Sequence, residues 1–313
     1  RSKREVELQD EMSAKGFGLG YLGGTLMQGI VFLILYLFED PNGSEFQRLF
    51  VMSVSIGIVG FWWSGFSLYT FRYLKVRPGQ PFPAGVNVIC HGWRSTCQTL
   101  YLMLTYRDAL LFVISYFLWS DALATLLNVA ILILDDTSEK GSSVIFSAML
   151  GTMAGLLGVF FFMKVQQWFH ISNKAMLMAQ LSVASVVSLA AGFGLVQAFG
   201  GFGFYLVLGP IMTMTGTLQA NARSLYATLL IPGREVAMFS FYTILDKGSS
   251  LIGALVIGLV HTSTGNYYGV FWYTMIAFIL AVVTLSFVDV KRGMRMAGKL
   301  EGNEGELAAV APP

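Results

Sequence analysis

The chain is written in long apolar blocks separated by short polar breaks. Runs of low charge cover 17–38, 50–70, 109–134, 144–164, 175–196, 202–219, 237–260 and 267–288. Each is close to the roughly 20 residues that a helix needs to cross the hydrocarbon core of a bilayer. The runs are too long for barrel strands and do not alternate apolar with polar positions. Eight such blocks leave almost nothing to face water, so helices buried in a soluble protein do not account for them. The pattern predicts an all-α polytopic membrane protein with eight transmembrane helices.

The polar breaks order the blocks. With the N-terminus in the cytosol, 17 of the 20 Lys and Arg residues fall on the cytosolic side. Arg48 and Lys140 lie on the other side, and Lys247 falls inside a span. The opposite topology violates the positive-inside rule at nearly every loop. Both termini are therefore expected in the cytosol. Five regions follow: a cytosolic segment 1–16, two membrane helices in 17–70, a basic cytosolic linker 71–108, a six-helix bundle 109–289, and a disordered cytosolic tail 290–313. The linker opens on the turn-rich stretch Pro78-Gly79-Gln80-Pro81-Phe82-Pro83. In its second half Cys97, Leu100, Tyr101 and Leu104 share one face at helical spacing, which predicts a surface helix.

Composition agrees with this class. Hydrophobic residues make up 55% and charged residues 12% of the chain, whereas a soluble domain is about a quarter charged. A net charge of +2 gives no reason to expect nucleic acid. The chain opens on Arg1 and is expected to be a fragment or to have a processed start. Cys90 and Cys97 both fall in the cytosolic linker and are expected as thiols. Asn42-Gly43-Ser44 is a glycosylation sequon so close to a span that it is expected to be unused. No metal-binding histidine pair, phosphate loop or nucleophile elbow is present, so an enzyme is not expected and no cofactor is implied. Without a nucleotide site, any transport would run on a gradient.

Three charges sit inside spans: Asp121, Asp246 and Lys247. Each costs about 2.5–3.5 kcal/mol at a helix centre on insertion scales, so each should face a bundle interior or a water-filled path. Thr125 and Asn128 follow Asp121 at i+4 and i+7 and extend a polar stripe. Asp246 and Lys247 point about 100° apart on their helix, which disfavours pairing between them. A cross-helix pair between Asp121 and Lys247 is compatible with their depths. Asp121, Asp246 and Lys247, with Asn128, Thr125 and Gln219 as neutral contacts, are the candidates for substrate binding or proton coupling. The competing reading is a buried ion pair that only fixes helix packing. The glycines have a structural meaning: Gly16, Gly20 and Gly24, Gly151 and Gly155, and Ser249 and Gly253 are spaced for close helix approach.

Several segments resemble a known family. Gln219-Ala220-Asn221-Ala222-Arg223-Ser224-Leu225, Ile231-Pro232-Gly233-Arg234-Glu235, Phe239-Ser240-Phe241-Tyr242 and Asp246-Lys247-Gly248-Ser249-Ser250 resemble the signature of vacuolar effluxers related to autophagy-related protein twenty-two. Those proteins are major facilitator transporters of fungi with bacterial relatives. Lys15 to Gly24 resembles the family's fifth span, and Tyr116-Phe117-Leu118-Trp119-Ser120-Asp121 the start of its second half. The resemblance implies a partial major facilitator fold in which the eight spans align with spans five to twelve. It implies export of amino acids from the vacuole lumen to the cytosol after autophagic breakdown, by alternating access, from a multi-pass location in the vacuole membrane. The implied partners are amino acids, the lipid bilayer and the four N-terminal spans absent here. A facilitator for another small solute, or a truncated non-transporting membrane partner, are the alternatives.

Overall fold

The computed structural model describes residues 3–38, 44–75, 87–137, 141–231, 234–296 and 298. Among the described residues the chain is helical throughout, with no strand. The helices are α1 (Lys3–Phe38), α2 (Glu45–Tyr73), α3 (Val88–Thr105), α4 (Arg107–Thr137), α5 (Gly141–Trp168), α6 (Asn173–Gly192), α7 (Leu195–Leu229), α8 (Glu235–Thr264), α9 (Val270–Ser286) and α10 (Val290–Met296). The expected tail beyond Lys299, the Pro78–Pro83 turn and Asn42 lie outside the described residues, while Ser44 caps α2.

Each apolar block falls on a helix, and most of the helices overrun their blocks. Two stop short for local reasons. α6 ends at a Phe193–Gly194 turn in which Gly194 takes φ 95°, a left-handed conformation that glycine adopts without a Cβ penalty. α9 starts late because Gly265, at φ 69°, ends α8 by donating its N–H to the His261 carbonyl. The 7-residue α10, within the region expected to be disordered, was not anticipated. α3 confirms a helix in the second half of the linker: Met103 is buried against the bundle and Trp93, Leu100, Tyr101 and Leu104 are exposed.

The count of eight spans is not reached on length and composition. Among the described residues six helices, α1, α2, α4, α5, α6 and α8, are long and apolar enough to cross a membrane, and the pair α9 and α10, bent by 60°, makes up to seven. α7 is not among them, and its second half carries Thr213, Thr215, Thr217, Gln219 and Asn221. Pro210 also sits within it. Proline removes one backbone donor, and the Thr213 hydroxyl donates to the Pro210 carbonyl at 2.8 Å.

α4 is the central helix. In its most apolar window 61% is buried inside the protein, against 11% in α8. α4 packs on α8 and α9, α6 on α7 and α9, and α5 on α7 and α1. Lipid tails are as apolar as leucine, so these pairs gain from close packing and not from removing apolar surface from water. Two glycines set the closest crossings. A Cβ on Gly158 would lie 1.8 Å from the Thr213 carbonyl oxygen, which brings the α5 and α7 backbones together. A Cβ on Gly253 would lie 1.7 Å from Thr125 Oγ1, at the α4–α8 crossing. The expected α1 stripe behaves differently. An added Cβ at Gly16 or Gly20 meets nothing within 4 Å, and one at Gly24 reaches only Thr152, at 3.7 Å.

Candidate functional site

Two carboxylates carried inside apolar blocks, Asp121 and Asp246, lie where α4 crosses α8 and α9. Asp121 is 2% exposed. Its Oδ1 accepts the Gly253 backbone N–H at 3.0 Å, and its Oδ2 accepts the Tyr273 hydroxyl of α9. Thr125, one turn further along α4, is buried, with no hydrogen-bond partner for its hydroxyl among the described residues. The absence of a side chain at Gly253 lets α8 come close enough for its backbone to reach the carboxylate.

The neighbouring α4 residue serves the second carboxylate. Asp246 Oδ1 accepts the Tyr116 hydroxyl at 2.5 Å and the Ser120 hydroxyl at 3.1 Å. Its Oδ2 lies 3.0 Å from Lys247 Nζ. Ser120 and Asp121, adjacent on α4, thus place one carboxylate network beside the other. Rings close the site on the side of the basic loops. Tyr116 lies over Tyr242 with centroids 4.1 Å apart, and Tyr226 stacks on Tyr242 at 5.1 Å. The Tyr226 hydroxyl donates to the Met238 carbonyl at 2.9 Å, so the apolar ring stays buried while its polar tip is satisfied.

Several expectations about pairing are corrected. Asp246 and Lys247 do pair. Their Cβ directions diverge, but lysine's four-carbon stem carries the ammonium back to its neighbour. The Asp121–Lys247 pair does not form: the Lys247 side chain is 82% exposed, and Asp121 is held by Tyr273 and Gly253. Asn128 shares the angular position of Asp121, yet it is exposed. Neighbouring helices leave that face of α4 uncovered at its level, as at Ile114 and Ile131. Gln219 is half-buried on α7 and is not hydrogen-bonded to either carboxylate.

Sequence reasoning missed Tyr116, Ser120 and Tyr273 as carboxylate partners. It also assigned Asp108 to the linker, whereas Asp108 is a buried residue in the first turn of α4. Arg292 of α10 donates to it from Nε and Nη2, both at 2.7 Å, and the Asp289 N–H donates at 2.8 Å. This bond with Asp108 raises the pKa of the Arg292 guanidinium. The Asp289 carboxylate accepts the Arg292 backbone N–H, which lowers its pKa below the usual carboxylate value. Lys174 of α6 donates to the Ser286 and Val288 carbonyls at 3.0 and 2.6 Å and so satisfies the end of α9. The signal for this fastening, an acid in the first turn of one helix and a distant arginine, has no periodicity that sequence alone exposes.

The profile of the family described as "Vacuole effluxer Atg22 like" matches residues 1–298. The chain is 25% identical to Autophagy-related protein 22-2 of Aspergillus niger over 97% of this chain and 56% of that protein. It is 28% identical to Autophagy-related protein 22 of Neurospora crassa over 93% of this chain and 41% of that protein. Autophagy-related protein 22-1 of Sclerotinia sclerotiorum is 29% identical over 95% and 53%, respectively. The chain spans about half the length of the curated relatives it matches. No solved structure matches it.

Proposed function

Because the chain belongs to the family of Atg22-like vacuole effluxers, we propose that it acts in a vacuolar transporter that exports amino acids to the cytosol after autophagic breakdown. Transport proceeds by alternating access, with the basic loops in the cytosol. The observation that carries this reading is Asp121, a carboxylate inside a span that is held by a tyrosine hydroxyl and a backbone N–H, with no cation on it among the described residues. Intramembrane carboxylates of this kind mark substrate and proton paths. Asp121 serves as the proton carrier.

Asp246 and Lys247 do different work. Their pair lies at the border between the buried line of α8 and its open face. A zwitterionic substrate exchanges one contact for two: its ammonium meets the Asp246 carboxylate and its carboxylate meets the Lys247 ammonium. Tyr116 and Ser120 keep the Asp246 carboxylate in place while Lys247 turns away. The test is flux of radiolabelled amino acids in proteoliposomes. Asp121→Asn is expected to leave a folded protein whose flux or pH dependence is altered. Unchanged flux in that folded variant removes Asp121 from the mechanism.

A further inference from the structure

A cavity of about 1190 Å³ opens at the basic end of the bundle, among the ends of α5, α6 and α7 and the bend between α9 and α10. Most of its wall is apolar, and amides and hydroxyls are set into it. Gln166 donates its side-chain amide to Asn173 Oδ1, and Asn173 Nδ2 donates to Ser224 Oγ at 3.2 Å. Asn221 precedes Ser224 on α7 and lines the same space. It is 7% exposed, and its Nδ2 has no hydrogen-bond partner among the described residues. A buried amide donor left without an acceptor is costly unless something fills the site.

The charges on the wall select the ligand class. Lys174, Lys291 and Asp289 line it, together with Glu11, which is paired with Lys15 at 2.6 Å, so the wall offers charges of both signs. An anion leaves Asp289 unanswered, and an apolar solute leaves the amides unsatisfied. A small molecule carrying both signs matches the wall. We propose that this cavity binds a small zwitterionic solute, an amino acid, as a second station on the cytosolic side; this rests on the transport reading above. The solute carboxylate accepts from Asn221 Nδ2 near Lys174, and its ammonium faces Asp289. The Gln166–Asn173–Ser224 chain holds the amide wall in register.

The experiment uses the full chain in nanodiscs with tritiated glutamine as probe and inorganic phosphate as competitor. Saturable glutamine binding that excess phosphate does not displace is expected. Asn221→Leu should weaken it about tenfold, the equivalent of about 1.4 kcal/mol, while Asn221→Ser, which keeps a donor, should stay within about threefold. A second measurement covers the case in which Asn221→Leu fails to fold. With Cys90 and Cys97 replaced by serine, maleimide labelling of Gln167→Cys at the cavity rim should slow when glutamine is added. The proposal is overturned by absence of saturable binding, by phosphate competing as well as glutamine, by undiminished binding in a folded Asn221→Leu, or by an unchanged labelling rate. Flux in vesicles separates the two readings. Binding that depends on Asn221 without flux removes the transporter and keeps the site; flux without such binding does the reverse.

Discussion

Tyr273 on α9 donates its hydroxyl to Asp121 on α4, and the Gly253 backbone on α8 donates to the other carboxylate oxygen. One side chain therefore ties three helices. Tyr273→Phe removes one of the two donors and leaves the ring in place. The expected loss is about 1–3 kcal/mol, the cost of a hydrogen bond withdrawn from a buried charged acceptor. Chemical unfolding of the nanodisc-embedded protein measures it, and unchanged stability would show that the bond carries no weight.

The Asp108–Arg292 fastening gives a second prediction. Among the described residues, Arg292→Ala leaves the buried Asp108 with only its backbone donor. Full loss of a buried pair costs about 3–5 kcal/mol; with the Arg292 side chain 40% exposed, solvent screening reduces the expectation to about 1–2 kcal/mol. Hydrogen exchange across 290–296 should rise sharply in Arg292→Ala and less in Arg292→Lys, which keeps the charge but loses the forked geometry.

The pH response of α10 follows from the two shifted groups. Arg292 has a raised pKa, so its stabilisation is complete below the ordinary arginine value and is lost only as pH rises through the still higher folded value. Asp289 has a lowered pKa, so its stabilisation is present above the ordinary value of 3.8 and is lost as pH falls through the lower folded value. Exchange protection of α10 attributable to these groups should therefore stay flat from about pH 5 to pH 9. A step within that window would assign the docking to another group.

At the α4–α8 crossing, Gly253→Ala puts a methyl group where Thr125 already lies. Overpacking of this kind costs about 1–3 kcal/mol. Adding Thr125→Ala should recover part of the loss, because the Oγ1 contact disappears while Thr125 Cβ remains only 2.9 Å from the added carbon. Additive losses in the double variant would contradict this geometry.

The helices were legible because their signal is an average over about 20 residues, which tolerates single errors. Partnerships depend on one rotation angle and one side-chain reach, and neither averages. Asn128 lies at the right angle but beyond the cover of its neighbours. Lys247 is adjacent to Asp246 and pairs with it because a flexible stem overrides the backbone direction. Asp121 and Asp246 were found because a charge inside an apolar run stands out. Tyr116 and Tyr273 were not, because tyrosine is ordinary in such runs and its hydroxyl gains meaning only when another helix brings an acid to it. Asp108 was hidden by its place at a boundary, where charge is expected.

The contact between Gly158 and Thr213 has a mechanical consequence. Side chains can change rotamer and take up slack between two helices, but a backbone pressed against a backbone has none to give. α5 and α7 are therefore coupled as a stiff double rod, and a tilt of one must carry the other. The polar second half of α7, with Gln219 and Asn221 on it, then travels as the load of a lever whose fulcrum is a single missing methyl group.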